Sequence, residues 1–213
     1  MNEALDHLFK SGSIFFLPWI GDKYEQGFCG RRFLVLGESH YAHWDDAVHE
    51  LQPTFTRECL REVVNREDGA RFWKNLEQAL LNEYRQGGWC PSGGPALWSQ
   101  LAFYNFVQSP IFAGPRVSPS NQQFNSSLAA FIAVLEALRP ERVLVCGKRL
   151  WGQMDSTKLQ LHDDVEAYQL SDGSPVWCLA IKHPSSGGFS WTKAHQLIRA
   201  FLNEPRDAAA LLV

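Results

Sequence analysis

Two segments concentrate residue types that do polar chemistry. Gly37-Glu38-Ser39-His40-Tyr41-Ala42-His43-Trp44 brings a carboxylate, a hydroxyl, two imidazoles and two aromatic rings into one short stretch. Lys182-His183-Pro184-Ser185-Ser186-Gly187-Gly188 sets a histidine in a turn shaped by proline and glycine. Three chemistries can be read from these types alone. Ser39 with His183 as base would make a nucleophile pair, yet the elbow that exposes such a serine wants G-x-S-x-G, and Tyr41 holds the place of its second glycine. His40, His43 and His49 supply imidazoles for a metal, without a recognised ligand spacing. Glu38 and His183 would work as a carboxylate and imidazole acting on opposite ends of a breaking bond. Plainer roles compete: Glu38 can cap a helix or pair with Arg31 or Lys148, and Asn105, at a strand end, is an ordinary turn former.

The elements that must position these residues follow from hydrophobic period. Phe33-Leu34-Val35-Leu36, closed by Gly37, is a continuous apolar run of the kind buried on both faces of a parallel sheet. Val143-Leu144-Val145-Cys146, closed by Gly147, repeats it, as does Val176 to Ile181 before His183. Leu101 to Val107 is aromatic-rich, and its second half reads as a strand. Helical period dominates from Asp45 to Arg85, with Phe72, Leu76, Ala79 and Leu80 on one face. Asn121 to Leu138 forms a helix stopped by Pro140, and a last helix spans about Trp191 to Leu202. Ile14 to Gly30, aromatic and punctuated by glycine, reads as a loop lid, and the residues after Leu202 as a frayed tail. Strands alternating with helices imply a three-layer α/β/α sandwich with a mainly parallel central sheet of about four strands. Ligands in such sheets bind beyond the carboxyl ends of the strands, which collects the loops after Leu36, Phe106, Cys146 and Ile181 on one rim.

Bulk properties narrow the function. The 213 residues suit one domain, 1–213, and 45% apolar with 20% charged residues is a globular balance. A net charge of −3 argues against a broad grip on phosphate backbones, so contact with nucleic acid must be local. Five scattered cysteines without a C-x-x-C pair read as thiols in a reducing, cytoplasmic compartment. No run approaches the roughly 20 apolar residues of a membrane helix, and no secretory leader is evident. A soluble monomer without a cofactor is expected.

A strand followed by a Gly-Glu loop, an asparagine ending a second strand and a late His-Pro-Ser loop is the order of motifs in uracil-DNA glycosylases, and over most of its length the chain resembles that superfamily. Tyr104 to Trp151 looks most like its thermophilic iron–sulfur branch. The resemblance implies that Glu38 orients water and steadies positive charge on the sugar, and that His183 stabilises the departing base. Asn105 would read the pyrimidine edge, and Tyr41 would stand where a 5-methyl group is excluded. Ser39, Ser185 and Trp44 are further expected substrate contacts. Phe189 or Trp191 would be the wedge filling the vacated stack, and Lys148 and Lys182 would meet phosphate, with Arg149 and Lys193 as basic neighbours. Phe55, Phe72, Trp73 and Trp44 compete to stack on the base. The partner implied is DNA or a nucleobase-containing small molecule. The chain departs from the family pattern at Ser39, in place of an aspartate, and at His40, in place of a proline. The cluster cysteines are missing, with Ser109 at one of their positions, so no iron–sulfur cluster is expected. A non-catalytic nucleotide or nucleic-acid binding module on the same fold is the alternative.

Overall fold

A computed structural model of the chain describes residues 1–9, 12–41, 52–112, 117–154 and 165–203, with the backbone of 159–162. Its centre is a set of short, apolar strands whose side chains are buried whichever way they point. Strand β2 (Phe33–Gly37) is buried throughout, as are β3 (Leu101–Asn105) and β4 (Arg142–Cys146). With β7 (Pro175–Ile181) they form a parallel core in the spatial order β3-β2-β4-β7. Three antiparallel strands extend it: β1 (Trp19–Ile20) beside β3, then β6 (Val165–Gln169) beside β7, and β5 (Leu159–His162) beside β6. The sheet thus has seven strands among the described residues, more than the four or so expected. The extra strands lack the apolar run that marks the central four. β1 is two residues long, and β6 is broken by the partly buried Glu166 and ends on exposed Gln169 instead of forming an apolar run.

Alternation along β2 sends Phe33 and Val35 to one core and Leu34 and Leu36 to the other. Helices α1 (Phe55–Val64), α2 (Arg71–Leu81), α3 (Pro95–Trp98) and α6 (Trp191–Asn203) contribute Leu60, Leu76, Trp98 and Ile198 to the first core. Helices α4 (Asn121–Leu138) and α5 (Lys148–Gln153) contribute Phe131, Leu135 and Leu150 to the second. Both faces of a mixed, mostly parallel sheet are therefore covered. Among the described residues no helix is long and apolar enough to cross a membrane.

Three expectations need correction. The helical stretch between 52 and 85 is two helices, because Arg66 takes a left-handed φ of 67° and breaks the run before Gly69; residues 42–51 lie outside the described residues. The strand in 101–107 is its first part, Leu101–Asn105; beyond it the N–H groups of Phe106 and Val107 still bond the carbonyls of Gly37 and Glu38 at 3.0 and 2.8 Å, so the loop that follows stays against β2. Ile14 to Gly30 is no lid: Phe16, Ile20 and Tyr24 are buried, and buried Arg57 anchors the N-terminal segment through Asp6 and the Pro18 carbonyl at 3.0 Å. Aromatic residues between glycines carry no period, which is why this packing was not legible.

The sheet order makes a crevice. From β2 the chain leads to β3 on one side, while β4 leads to β7 on the other, so the ends of β2 and β4 flank a switch point where ligands characteristically bind. The register places Gly37 beside Asn105. A methyl group at residue 37 would sit 2.2 Å from Asn105 Oδ1 and 2.9 Å from Phe103 Cζ, so the strand end depends on glycine having no side chain. Gly37→Ala should lower stability by about 1–3 kcal/mol in urea unfolding and shift the Asn105 side-chain amide resonances. An unchanged midpoint with unshifted Asn105 signals would disprove the close approach.

Candidate functional site

Loops from the ends of β2, β3 and β7 meet α1 and α2 around a cavity of about 400 Å³, within the range of small-molecule sites. Glu38, Ser39, Tyr41, Asn105, His183 and Ser185 all line it. The structure thus brings together six of the residues singled out from sequence. Trp44, with His43 and His49, lies outside the described residues. Phe189 and Trp191 are half-buried against the core instead, and Trp191 meets Tyr84 edge-on at 5.6 Å. Lys148 Nζ donates to the Ala180 carbonyl at 3.1 Å, and Lys182 Nζ lies 3.5 Å from the Gly188 carbonyl; neither lines the cavity.

The walls are aromatic. Of the four rings that competed to stack on a ligand, Phe55, Phe72 and Trp73 line the cavity, joined by Phe103 from the strand itself. Trp73 is fixed by its indole N–H, which donates to Asp68 at 2.9 Å. Phe72 packs 5.2 Å from the His183 ring and, like Phe55, is only partly buried, which leaves both rings with surface for a flat ligand.

His40 is the main surprise. It is buried beside Phe16 and Phe55, with Nε2 2.8 Å from Thr56 Oγ1 and both ring nitrogens 3.1–3.2 Å from Asn105 Nδ2. An amide NH₂ can only donate, so the imidazole must offer a lone pair, which a neutral ring has and an imidazolium lacks. Burial agrees, pushing the His40 pKa down to about 3. Its backbone is pinned as well, since the Ile111 N–H donates to the His40 carbonyl at 2.9 Å. His40 therefore holds the asparagine amide in place. Nothing in the spacing signalled this, because a histidine in a polar loop reads as a ligand or surface group.

His183 is set differently. The backbone N–H of Ser185 donates to Nδ1 at 3.2 Å, and Ser185 Oγ lies 2.9 Å from the same atom. A backbone N–H cannot accept, so the neutral ring carries its proton on Nε2. Burial holds its pKa below the ordinary histidine value, with Glu38 opposing and Arg149 reinforcing that shift. The turn is tethered to α2 by Asn75 Nδ2, which donates to the Pro184 carbonyl at 2.6 Å.

Glu38 pairs with neither Arg31 nor Lys148. Its carboxylate is held by Arg149, with Nε donating to Oε2 at 2.8 Å and Nη2 to Oε1, while Arg149 Nη1 reaches Ser118. The hydrogen bond to Glu38 raises the Arg149 pKa further. Arg149 was legible only as a basic neighbour of Lys148; its approach to Glu38 comes from β4 lying beside β2.

The competing chemistries find less support. Ser39 Oγ is buried without a hydrogen-bond partner among the described residues, so no histidine among them is placed to activate it. Cys59 lines the cavity, but burial pushes its thiol up to about 12, which keeps it protonated and inert. Among the described residues no group of three His, Cys, Asp or Glu side chains is placed to hold a metal ion. Neither a comparison with protein-family models nor a search of curated proteins returned a match.

The depressed His40 pKa has a stability consequence. The unfolded chain binds a proton near pH 6.5 and the folded one only near pH 3, so stability is full above 6.5 and falls as pH drops through that window. The slope from this one group approaches about 1.4 kcal/mol per pH unit. In His40→Gln, unfolding free energies measured between pH 7 and 5 should lose that slope relative to the parent. Parallel pH profiles for the two proteins would contradict the neutral, buried assignment.

Proposed function

We propose that the cavity binds one flat heterocycle, a nucleobase turned out of a nucleic acid or carried by a nucleotide, and that the protein is a divergent uracil-DNA glycosylase-like N-glycosidic hydrolase. The observation that carries this reading is the convergence of Glu38, Asn105 and His183, from three distant loops, on one aromatic-walled cavity at the carboxyl ends of the parallel strands β2, β3 and β7. In the proposed reaction the bond between the sugar carbon and the base nitrogen breaks with its electron pair leaving on the base. Water adds its oxygen to the sugar carbon, and its released proton ends on the base. A carboxylate near the sugar and an Nε2–H beside the base would stabilise the separated charges more than the ground state. A neutral His183 suits the second task because it donates a hydrogen bond without carrying its own charge into the site. Asn105, steadied by His40, offers an amide edge for the base, with Phe72 as its stacking partner and Tyr41 at the entrance.

The acidic net charge fits a local grip on a single nucleotide better than a long duplex footprint. The scattered thiols suit a reducing, cytoplasmic setting.

One observation favours a second reading. Both Glu38 oxygens are committed to Arg149, and Ser39 stands where the family carries an aspartate, so a non-catalytic base-binding module would look much the same. Single- and double-stranded oligonucleotides bearing uracil, and a panel of damaged bases, separate the two. Catalysis predicts abasic product with the parent protein and a loss of at least about 100-fold in Glu38→Gln or His183→Ala. Binding to a base-containing strand with no abasic product from any substrate would leave the module.

A further inference from the structure

Catalysis through Glu38 meets an obstacle in the resting site. A carboxylate whose two oxygens both accept from one guanidinium has its charge offset and its lone pairs engaged, so it can neither take a proton from water nor face a sugar cation at full strength. The partners are unequally accessible: the Glu38 side chain is 9% exposed and that of Arg149 46%. Anything arriving from solvent therefore meets the guanidinium first. Arg149 also holds Ser118 through Nη1, and Tyr41, at the cavity entrance, is a further partner.

A different cation lines the cavity itself, whereas Arg149 stands behind Glu38. Arg71, exposed at the start of α2, has no ion pair among the described residues, while the nearby acid Asp68 is engaged by the Ala70 N–H and the Trp73 indole. The neighbouring lysines are less available, since Lys148 and Lys182 reach toward backbone carbonyls. Among the described residues, the cations open to a phosphate here are thus two arginines, Arg71 in the cavity wall and Arg149 beside it on Glu38, and arginine is the side chain best shaped for bidentate contact with phosphate.

We propose that Arg149 is a phosphate-responsive latch on Glu38. A phosphate flanking the bound base takes over the guanidinium, the ion pair opens, and the carboxylate is freed for chemistry only when a phosphorylated ligand is in place. The ligand class is accordingly a phosphorylated nucleoside or a nucleic-acid strand, in preference to a free base or unphosphorylated nucleoside. This rests on the nucleobase reading of the cavity, and its experiment is chosen so that the two fail separately.

The test compares deoxynucleosides, including deoxyuridine, with their 3′,5′-bisphosphates by calorimetry on the full chain. The bisphosphate should bind roughly tenfold or more tightly than the nucleoside, the scale of a charge-assisted hydrogen-bonded contact. In Arg149→Met that ratio should fall below about threefold, with nucleoside affinity retained. Equal affinities in the parent, or an undiminished phosphate gain in Arg149→Met, would overturn the latch while leaving the base pocket standing. Inorganic phosphate, followed by the Nε–H resonance of Arg149 in the parent protein, gives a readout that needs no variant to fold. A saturable shift without nucleoside binding supports the latch and removes the base reading. No shift up to high phosphate, with nucleosides still bound, removes the latch alone.

Discussion

The site depends on how closely two parallel strands approach at their carboxyl ends. Gly37 faces Asn105 across the β2–β3 register, and the absence of a side chain at residue 37 gives the asparagine amide its place. Beyond that point the strands do not splay. Phe106 and Val107 bond back to Gly37 and Glu38, Ile111 bonds to His40, and Tyr41 bridges to Ile111. The loop that carries Glu38 is therefore an extension of the sheet, fixed by backbone hydrogen bonds that any side chain would satisfy. What the sequence must supply is the glycine and the small set of polar groups that close around it.

The second constraint is charge. A cavity walled by Phe55, Phe72, Trp73 and Phe103 penalises ionised groups, and the two histidines respond in the same direction for different structural ends. His40, deeply buried, gives up its charge to become an acceptor for Asn105. His183, half-exposed, keeps Nδ1 engaged by Ser185 and its proton on the other nitrogen. Glu38 keeps company with Arg149, the partner its position beside β4 makes available. Two neutral imidazoles and one matched ion pair leave the resting cavity with little unbalanced charge from these groups.

How much of this was legible varied with the kind of signal. The strands at 33–37, 142–146 and 175–181 are legible in the apolar runs 33–36, 143–146 and 176–181, and the helix at 121–138 in its period and in Pro140. Burial on both sides needs apolar residues at every position, a pattern few other structures impose. The positions of Glu38, Asn105 and His183 on one rim followed from the rule that parallel strands deliver their loops to the same edge. Partnership was harder. Arg149 reaches Glu38 across 111 residues of chain, and only the sheet order brings them together. His40 looked like a ligand because its neighbours in sequence are polar, whereas its neighbours in space are Phe16, Phe55 and Thr56. The N-terminal aromatic stretch misled for the converse reason: rings between glycines can cover a core as readily as a ligand.

On the proposed reading, the departures at Ser39 and His40 are linked. A proline stiffens a loop by fixing its own φ, which reduces the conformations the unfolded chain must surrender. A histidine at that place offers no such restraint, yet here the ring is packed between two phenylalanines and hydrogen-bonded to Thr56 and Asn105. Tertiary contacts stand in for a local covalent constraint, and they do one thing a proline cannot, which is to accept a hydrogen bond from the Asn105 amide. The exchange makes the loop's rigidity and the asparagine's orientation a single property. Glu38, two residues earlier, is thus carried on a loop whose geometry is set by the same ring, which lines the cavity beside Asn105.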